Sequence, residues 1–175
     1  MLKQLLKVGV AVSTALAVFA LSVSVALAIS PHFISAGTAS ILTSGPNVGA
    51  YQVANFKEAG LGNTVSTENI TLSATANATY ACINGGGNHP KAANKQSVTG
   101  QVSKTGSFPV RNGSTTGTLA VGPPPAGPFS PPCSPPQTVV LVFVSYTNAM
   151  LTGVAGDTAP EPDLSACLFP GIGIC

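Results

Sequence analysis

Along residues 69–83 apolar or small side chains fall on every second position, at Ile70, Leu72, Ala74, Ala76, Ala78, Tyr80 and Cys82, with Thr71, Ser73, Thr75, Asn77 and Thr79 between them. A period of two is that of a β-strand with one face in a core and the other in water. The run Gly85-Gly86-Gly87-Asn88-His89-Pro90 follows and forces the chain to turn. Other stretches repeat the pattern. Residues 33–42 are rich in small and β-compatible side chains and end at the turn signal Gly45-Pro46-Asn47. Residues 50–57 set Tyr51, Val53 and Asn55 against Gln52, Ala54 and Phe56, and residues 58–67 read as a connecting loop. Residues 96–104 alternate again, and Asn112-Gly113 predicts a hairpin whose return strand is 115–121.

The most apolar run, Val139-Val140-Leu141-Val142-Phe143-Val144, is apolar on both of its faces, which predicts an interior strand and the centre of the core. Before it, residues 122–136 hold eight prolines in fifteen positions. Proline lacks the ladder donor, so this piece is expected as a stiff, extended connection. Residues 153–175 carry little pattern and are expected as an irregular tail. Seven or eight strands at short spacing with no helical period predict an all-β, antiparallel β-sandwich, immunoglobulin-like in general form. A jelly roll or a small barrel is the alternative.

The first 28 residues change the compartment. Lys3 and Lys7 precede an apolar run, and Ala26-Leu27-Ala28 has the small-x-small pattern of a cleavage site, so residues 1–28 read as a signal peptide. An uncleaved membrane anchor is the competing reading. The predicted organisation is thus a signal peptide, a sandwich over residues 29–152 and the tail. Those two lysines supply the whole net charge of +2. Downstream, Lys57, Lys91, Lys95, Lys104 and Arg111 balance Glu58, Glu68, Asp157, Glu161 and Asp163. A neutral chain argues against nucleic acid and against an anionic membrane surface as partners.

All four cysteines, Cys82, Cys133, Cys167 and Cys175, lie after the cleavage site, an even number in a chain bound for an oxidising space. Three pairings are possible. Cys82 and Cys133 both adjoin predicted strands while Cys167 and Cys175 sit together in the tail, which favours Cys82 with Cys133 and Cys167 with Cys175. A four-cysteine zinc site is disfavoured, because no cysteines stand in a close CxxC-type pair.

The pieces Phe56-Lys57-Glu58-Ala59-Gly60-Leu61-Gly62, Cys82-Ile83-Asn84-Gly85-Gly86-Gly87 and Tyr146-Thr147-Asn148, in that order, resemble a family of secreted actinobacterial-type proteins with no known activity. The resemblance covers about residues 32–151. In that family a cysteine precedes the glycine loop and another follows a proline-rich piece, which implies the Cys82 to Cys133 pairing. Cys167 and Cys175 fall outside the shared pattern.

No catalytic constellation stands out. His32 and His89 are the only histidines, neither beside an acid in sequence; there is no GxSxG elbow and no Asp-x-Asp calcium pattern. No cofactor or metal is implied. The glycine loop is the candidate binding site, since its backbone N–H groups, with Asn84, Asn88, His89, Lys91 and Asn94, can meet an anion or a sugar hydroxyl. Against this stands a plain connection that uses glycine for positive φ and proline to stop pairing. The function expected is a secreted, non-catalytic module that binds a glycan, a cell-envelope component or a protein. An extracellular hydrolase is the competing class, and a structural or inhibitory protein a third.

Overall fold

The computed structural model describes residues 30–84 and 94–170. Nine strands are formed among them: β1 (His32–Ser35), β2 (Thr38–Ile41), β3 (Tyr51–Ala59), β4 (Thr67–Ile83), β5 (Lys95–Pro109), β6 (Ser114–Val121), β7 (Thr138–Thr152), β8 (Thr158–Pro160) and β9 (Leu164–Cys167). All pairings are antiparallel, in two sheets. In one, β3 pairs with β1 and β2 on one side and β6 on the other; in the second the order is β5-β4-β7-β8, with β9 also on β7. The sheets share one core, so the fold is a β-sandwich, as the strand spacing predicted.

β4 explains why the sheets face each other. Its inner row of Ile70, Leu72, Ala74, Ala76 and Ala78 is almost wholly buried, while Thr71, Ser73 and Thr75 are half-exposed and Asn77 exposed. It pairs with β5 from Thr67 to Ala81 and with β7 from Thr71 to Ile83. Tyr51 and Tyr146 meet across the sandwich with ring centroids 5.3 Å apart, and Phe56 meets Phe108 edge-on at 5.1 Å. Such ring pairs contribute roughly 0.5–1.5 kcal/mol beyond their area.

Four sequence expectations need correction. On β3 the alternation placed Phe56 opposite Tyr51 and Val53, but Asn55, at φ 60, is an extra residue against β6 and shifts the phase. Phe56 and Glu58 therefore turn inward with Tyr51 and Val53, and the strand runs on to Ala59 where a loop from residue 58 was expected. Asparagine tolerates this left-handed conformation better than most side chains. The Asn112-Gly113 turn forms, with both residues at positive φ and Arg111 and Ser114 exchanging backbone hydrogen bonds. Its return strand β6 nevertheless joins β3 in the other sheet, so the turn is a corner between sheets and no hairpin extends from it. Residues expected as a single strand over 33–42 split into β1 and β2. The tail expected to be irregular adds β8 and β9 to the free edge of β7.

The apolar run of β7 is covered on both faces from Val140 to Val144, but not as one core. Val142 is an extra residue against β4 and packs with Ala81 and Ile83 in a small separate cluster, joined by Val140 and Phe169. Leu141 and Val144 turn to the main core, and Val139 stays 45% exposed. The largest fully buried side chains include Tyr51, Tyr146, Phe56, Ile70, Leu72 and Leu151, with Val53, Val142 and Val144 as fully buried, so the β7 valines share the interior with aromatic and leucine side chains from other strands.

Phase along β4 is directly testable. Leu72→Ala should lower stability by about 2–5 kcal/mol, by loss of transfer energy and creation of a cavity. Ser73→Ala, one residue on and facing out, should change it by less than about 0.5 kcal/mol. Urea denaturation of the two variants distinguishes them.

Candidate binding site

Three places gather polar chemistry: the disulfide end of β4, the outer face of the β5-β4-β7 sheet, and a buried group of acids at the opposite end of β4.

At the disulfide end, Cys82 and Cys133 are bonded, with Cα atoms 5.5 Å apart and a separation of 51 positions in sequence. The pairing favoured from the sequence is therefore present. It fastens the proline-rich connection to the body, and a second tether comes from Tyr80, whose hydroxyl donates to the Pro124 carbonyl at 2.6 Å. Ala126 and Phe129 of the same connection pack against the core. Cys167 is also disulfide-bonded; Cys175, its expected partner, lies outside the described residues.

Of the residues predicted for the glycine-loop site, Asn88, His89 and Lys91 lie outside the described residues. Asn84 follows β4 and is half-buried; its Oδ1 is buried with no hydrogen-bond partner. Asn94 precedes β5, and its carbonyl accepts the Cys82 N–H at 3.2 Å, so the β4-β5 ladder continues to the base of the loop. A pocket of about 230 Å³ opens there, lined by Asn94, Lys95, Gln96, Pro128, Phe129 and Ser130. Gln96 Oε1 is likewise buried and unpartnered. Gln96, whose amide oxygen has no donor, lines this pocket together with the polar side chains of Asn94, Lys95 and Ser130.

The outer sheet face is broader. Cross-strand ranks run Ser97, Thr79, Phe143; Thr99, Asn77, Ser145; Gln101, Thr75, Thr147; Ser103, Ser73, Met150; Thr105, Thr71, Thr152. Neighbours across the strands bond to one another: Thr71 and Thr105 hydroxyls at 2.7 Å, Thr79 and Ser97 at 2.9 Å, and Gln101 Nε2 donating to Thr75 Oγ1 at 2.8 Å. These bonds fix the rotamers of side chains that, apart from the buried Thr79, still face water. No charged side chain stands in these five ranks.

At the far end, Glu58 of β3 is fully buried and neither of its carboxylate oxygens has a hydrogen-bond partner. Burial, then the neighbouring Asp157 and Glu68, push its carboxyl up to about 7. Glu68 is also buried, and its Oε1 accepts the Val154 N–H at 2.8 Å. Burial raises Glu161 to about 7 as well. An acid kept neutral near pH 7 is what a general acid requires, but Glu58 is sealed from any substrate. The sequence assigned Glu58 to a loop and the tail acids to irregular chain. The signal that was missed is the phase shift at Asn55, which points Glu58 inward.

His32, the described histidine, is exposed, and its Nδ1–H donates to the Ser30 carbonyl at 2.8 Å. Among the described residues no three His, Cys, Asp or Glu side chains group as ligands for a metal ion, and no helix is long and apolar enough to cross a membrane. Comparison with family models, curated proteins and solved structures finds no match to this chain.

The tether of the proline-rich connection has a measurable weight. A Cys82→Ser, Cys133→Ser double variant should lose about 4 kcal/mol of stability, from the loop-closure entropy of the 51-residue separation. The urea midpoint of the variant against the oxidised parent measures it, with Cys167 left oxidised in both.

Proposed function

We propose that this chain is a secreted, non-catalytic binding module that lays the outer face of its β5-β4-β7 sheet against a neutral, hydroxyl-rich glycan of a cell envelope. The observation that carries the reading is the uncharged array of threonine, serine, asparagine and glutamine in register across the three strands. Each of these groups both donates and accepts, or does so in pairs, as sugar hydroxyls do. Several are already positioned by cross-strand hydrogen bonds, so little side-chain entropy is lost on docking. Met150, 37% exposed, and the half-exposed Phe143 at the β7 margin add apolar contact for the less polar faces of sugar rings.

Secretion is supported by the signal-peptide pattern of residues 1–28 and by the disulfides, which persist in oxidising spaces. The resemblance to a secreted actinobacterial-type family agrees with that compartment. The amide pocket beside Asn94 lies at the base of the glycine loop, where Gln96 stands in the rank of the inward-facing Tyr80, so it is a place separate from this face.

Because no charge stands in the array, binding should resist salt. Retention of the purified chain on an insoluble, uncharged cell-wall polysaccharide should stay within about twofold between about 0.1 and 1 M salt. Thr75→Glu with Gln101→Glu, at the centre of the face, should weaken retention by at least about tenfold while the fold's circular dichroism is unchanged. Loss of retention in high salt, or full retention by the double variant, rejects this surface.

A further inference from the structure

The buried acids at the far end of the sandwich present a chemical problem that the binding reading does not use. Glu58 is wholly inside, on the central strand of the first sheet, and Asp157 lies in the turn joining β7 to β8 of the second. Both oxygens of each carboxyl group are buried and none has a hydrogen-bond donor. Gly153 shows how closely they converge. It is itself buried, and a Cβ built on it would stand 2.5 Å from Asp157 Oδ1 and 2.8 Å from Glu58 Oε1. The two acids therefore fill, from opposite sheets, the space that any larger residue at position 153 would occupy.

Ionised carboxylates only accept hydrogen bonds, and two of them facing each other out of water repel. One group of positive charge must sit with them. No lysine, arginine or histidine contributes to the surroundings of Glu58; the groups acting on it are Asp157 and Glu68. On β6, Thr115 stands opposite Glu58 and its hydroxyl is committed to the Pro109 carbonyl at 3.0 Å. On β1, Phe33 stands opposite, and the neighbouring His32 is exposed and turned to Ser30. On β3 itself, Lys57 belongs to the alternate, half-buried row. Glu68 of β4 adds a third acid, tied to the Val154 N–H. A metal ion lacks the three-residue ligand set it would take, among the described residues.

We propose that Glu58 and Asp157 hold one proton between them, and that this carboxyl–carboxylate hydrogen bond is a latch joining the β7-β8 turn to the central strand of the facing sheet. With the proton in place Glu58 donates to Asp157 and the turn is held in. When the proton leaves to water, three acids face each other in a dry site and the turn separates from β3, taking with it β8, which is only three residues long. Ala159 of β8 is part of the core, so opening the latch loosens the core's edge.

The direction of the pH dependence follows. Glu58 is raised from an ordinary 4.5 to about 7, so the folded state binds its proton more tightly than the unfolded chain does. The stability this provides is complete below about pH 4.5 and is lost as pH rises through about 7. Glu161, raised by its own burial, acts in the same direction, so the two must be separated by variants.

The test is thermal unfolding of the full mature chain between pH 5 and pH 8, for the parent, Glu58→Gln and Glu161→Gln, with amide hydrogen exchange of residues 153–157. The parent's Tm should fall across this range, and the protection of Val154 and Gly156, taken relative to the intrinsic base-catalysed exchange rate at each pH, should fall with it. Glu58→Gln replaces the acid by a permanent amide donor to Asp157, so its Tm should fall by less than half as much and the turn should stay protected at pH 8. An undiminished fall in Glu58→Gln, with the fall removed in Glu161→Gln, overturns the latch. So does a rise in the parent's Tm on adding calcium at pH 8 that Glu58→Gln lacks, which would assign the space to a metal ion. If Glu58→Gln does not fold, carboxyl carbon NMR of the parent decides: a Glu58 signal titrating near pH 7 together with a shift at Asp157 supports the shared proton, and titration in the ordinary carboxylate range overturns it.

Discussion

Phase is the constraint on which this structure rests. In a strand each residue reverses the facing of the next, so a slip of one position exchanges core for surface over everything that follows. β4 keeps its inner row in step from Ile70 to Cys82, pairing on both edges, and the sandwich is assembled around that row. Its neighbours cannot all match it unbroken. β3 changes step once, at Asn55, and β7 twice, at Val142 and at Asn148, the two asparagines standing at φ 60 and φ 53. After Asn55 the inward residues are Phe56 and Glu58; after Asn148 they are Ala149 and Leu151. The Asn148 N–H donates to Asp163 Oδ1 at 3.0 Å, which ties the shift at Asn148 to the connection between β8 and β9.

Sequence period made the fold class and β4 legible because both depend on long, regular alternation. The Cys82 to Cys133 bond was legible for a different reason: among three possible pairings it was favoured because both cysteines adjoin predicted strands, and the family resemblance implied it as well. What the sequence hid were single-residue events. The shift at Asn55 concealed a buried glutamate within an apparent loop, and the extra Val142 divided one valine run between two clusters. Short strands such as β8 and β9 are likewise invisible locally, because three or four residues between prolines and glycines show no period; β7 templates them. The Asn-Gly turn was read correctly as a turn and incorrectly as a hairpin, since local geometry fixes the bend but not which sheet receives the return strand.

The polar groups divide by what water can reach. Hydroxyls and amides on the outer face of the second sheet are paired with one another and still open, which suits reversible contact with a neutral polymer. The glycine-loop residues that drew attention in the sequence are represented in the described structure by Asn84 and Asn94, at the base of the loop beside Cys82. Three of the five acids, Glu58, Glu68 and Asp157, gather with buried carboxyl groups at the end of β4 farthest from the disulfide, while Asp163 is exposed. One end of the sandwich is thus fixed by a covalent bond and the other by groups whose charge depends on the medium.

The three tyrosines also make the protein its own optical reporter. The chain has no tryptophan, and Tyr51, Tyr80 and Tyr146 are its complete set of phenols. Each is in the core, and each hydroxyl donates to a carbonyl outside the long strands: Pro162, Pro124 and Gly49 respectively. Burial raises all three above the ordinary phenol range. Tyrosine emission of this chain therefore carries no contribution from surface phenols, and a phenolate band appearing in alkali would record the loosening of loop segments from the interior.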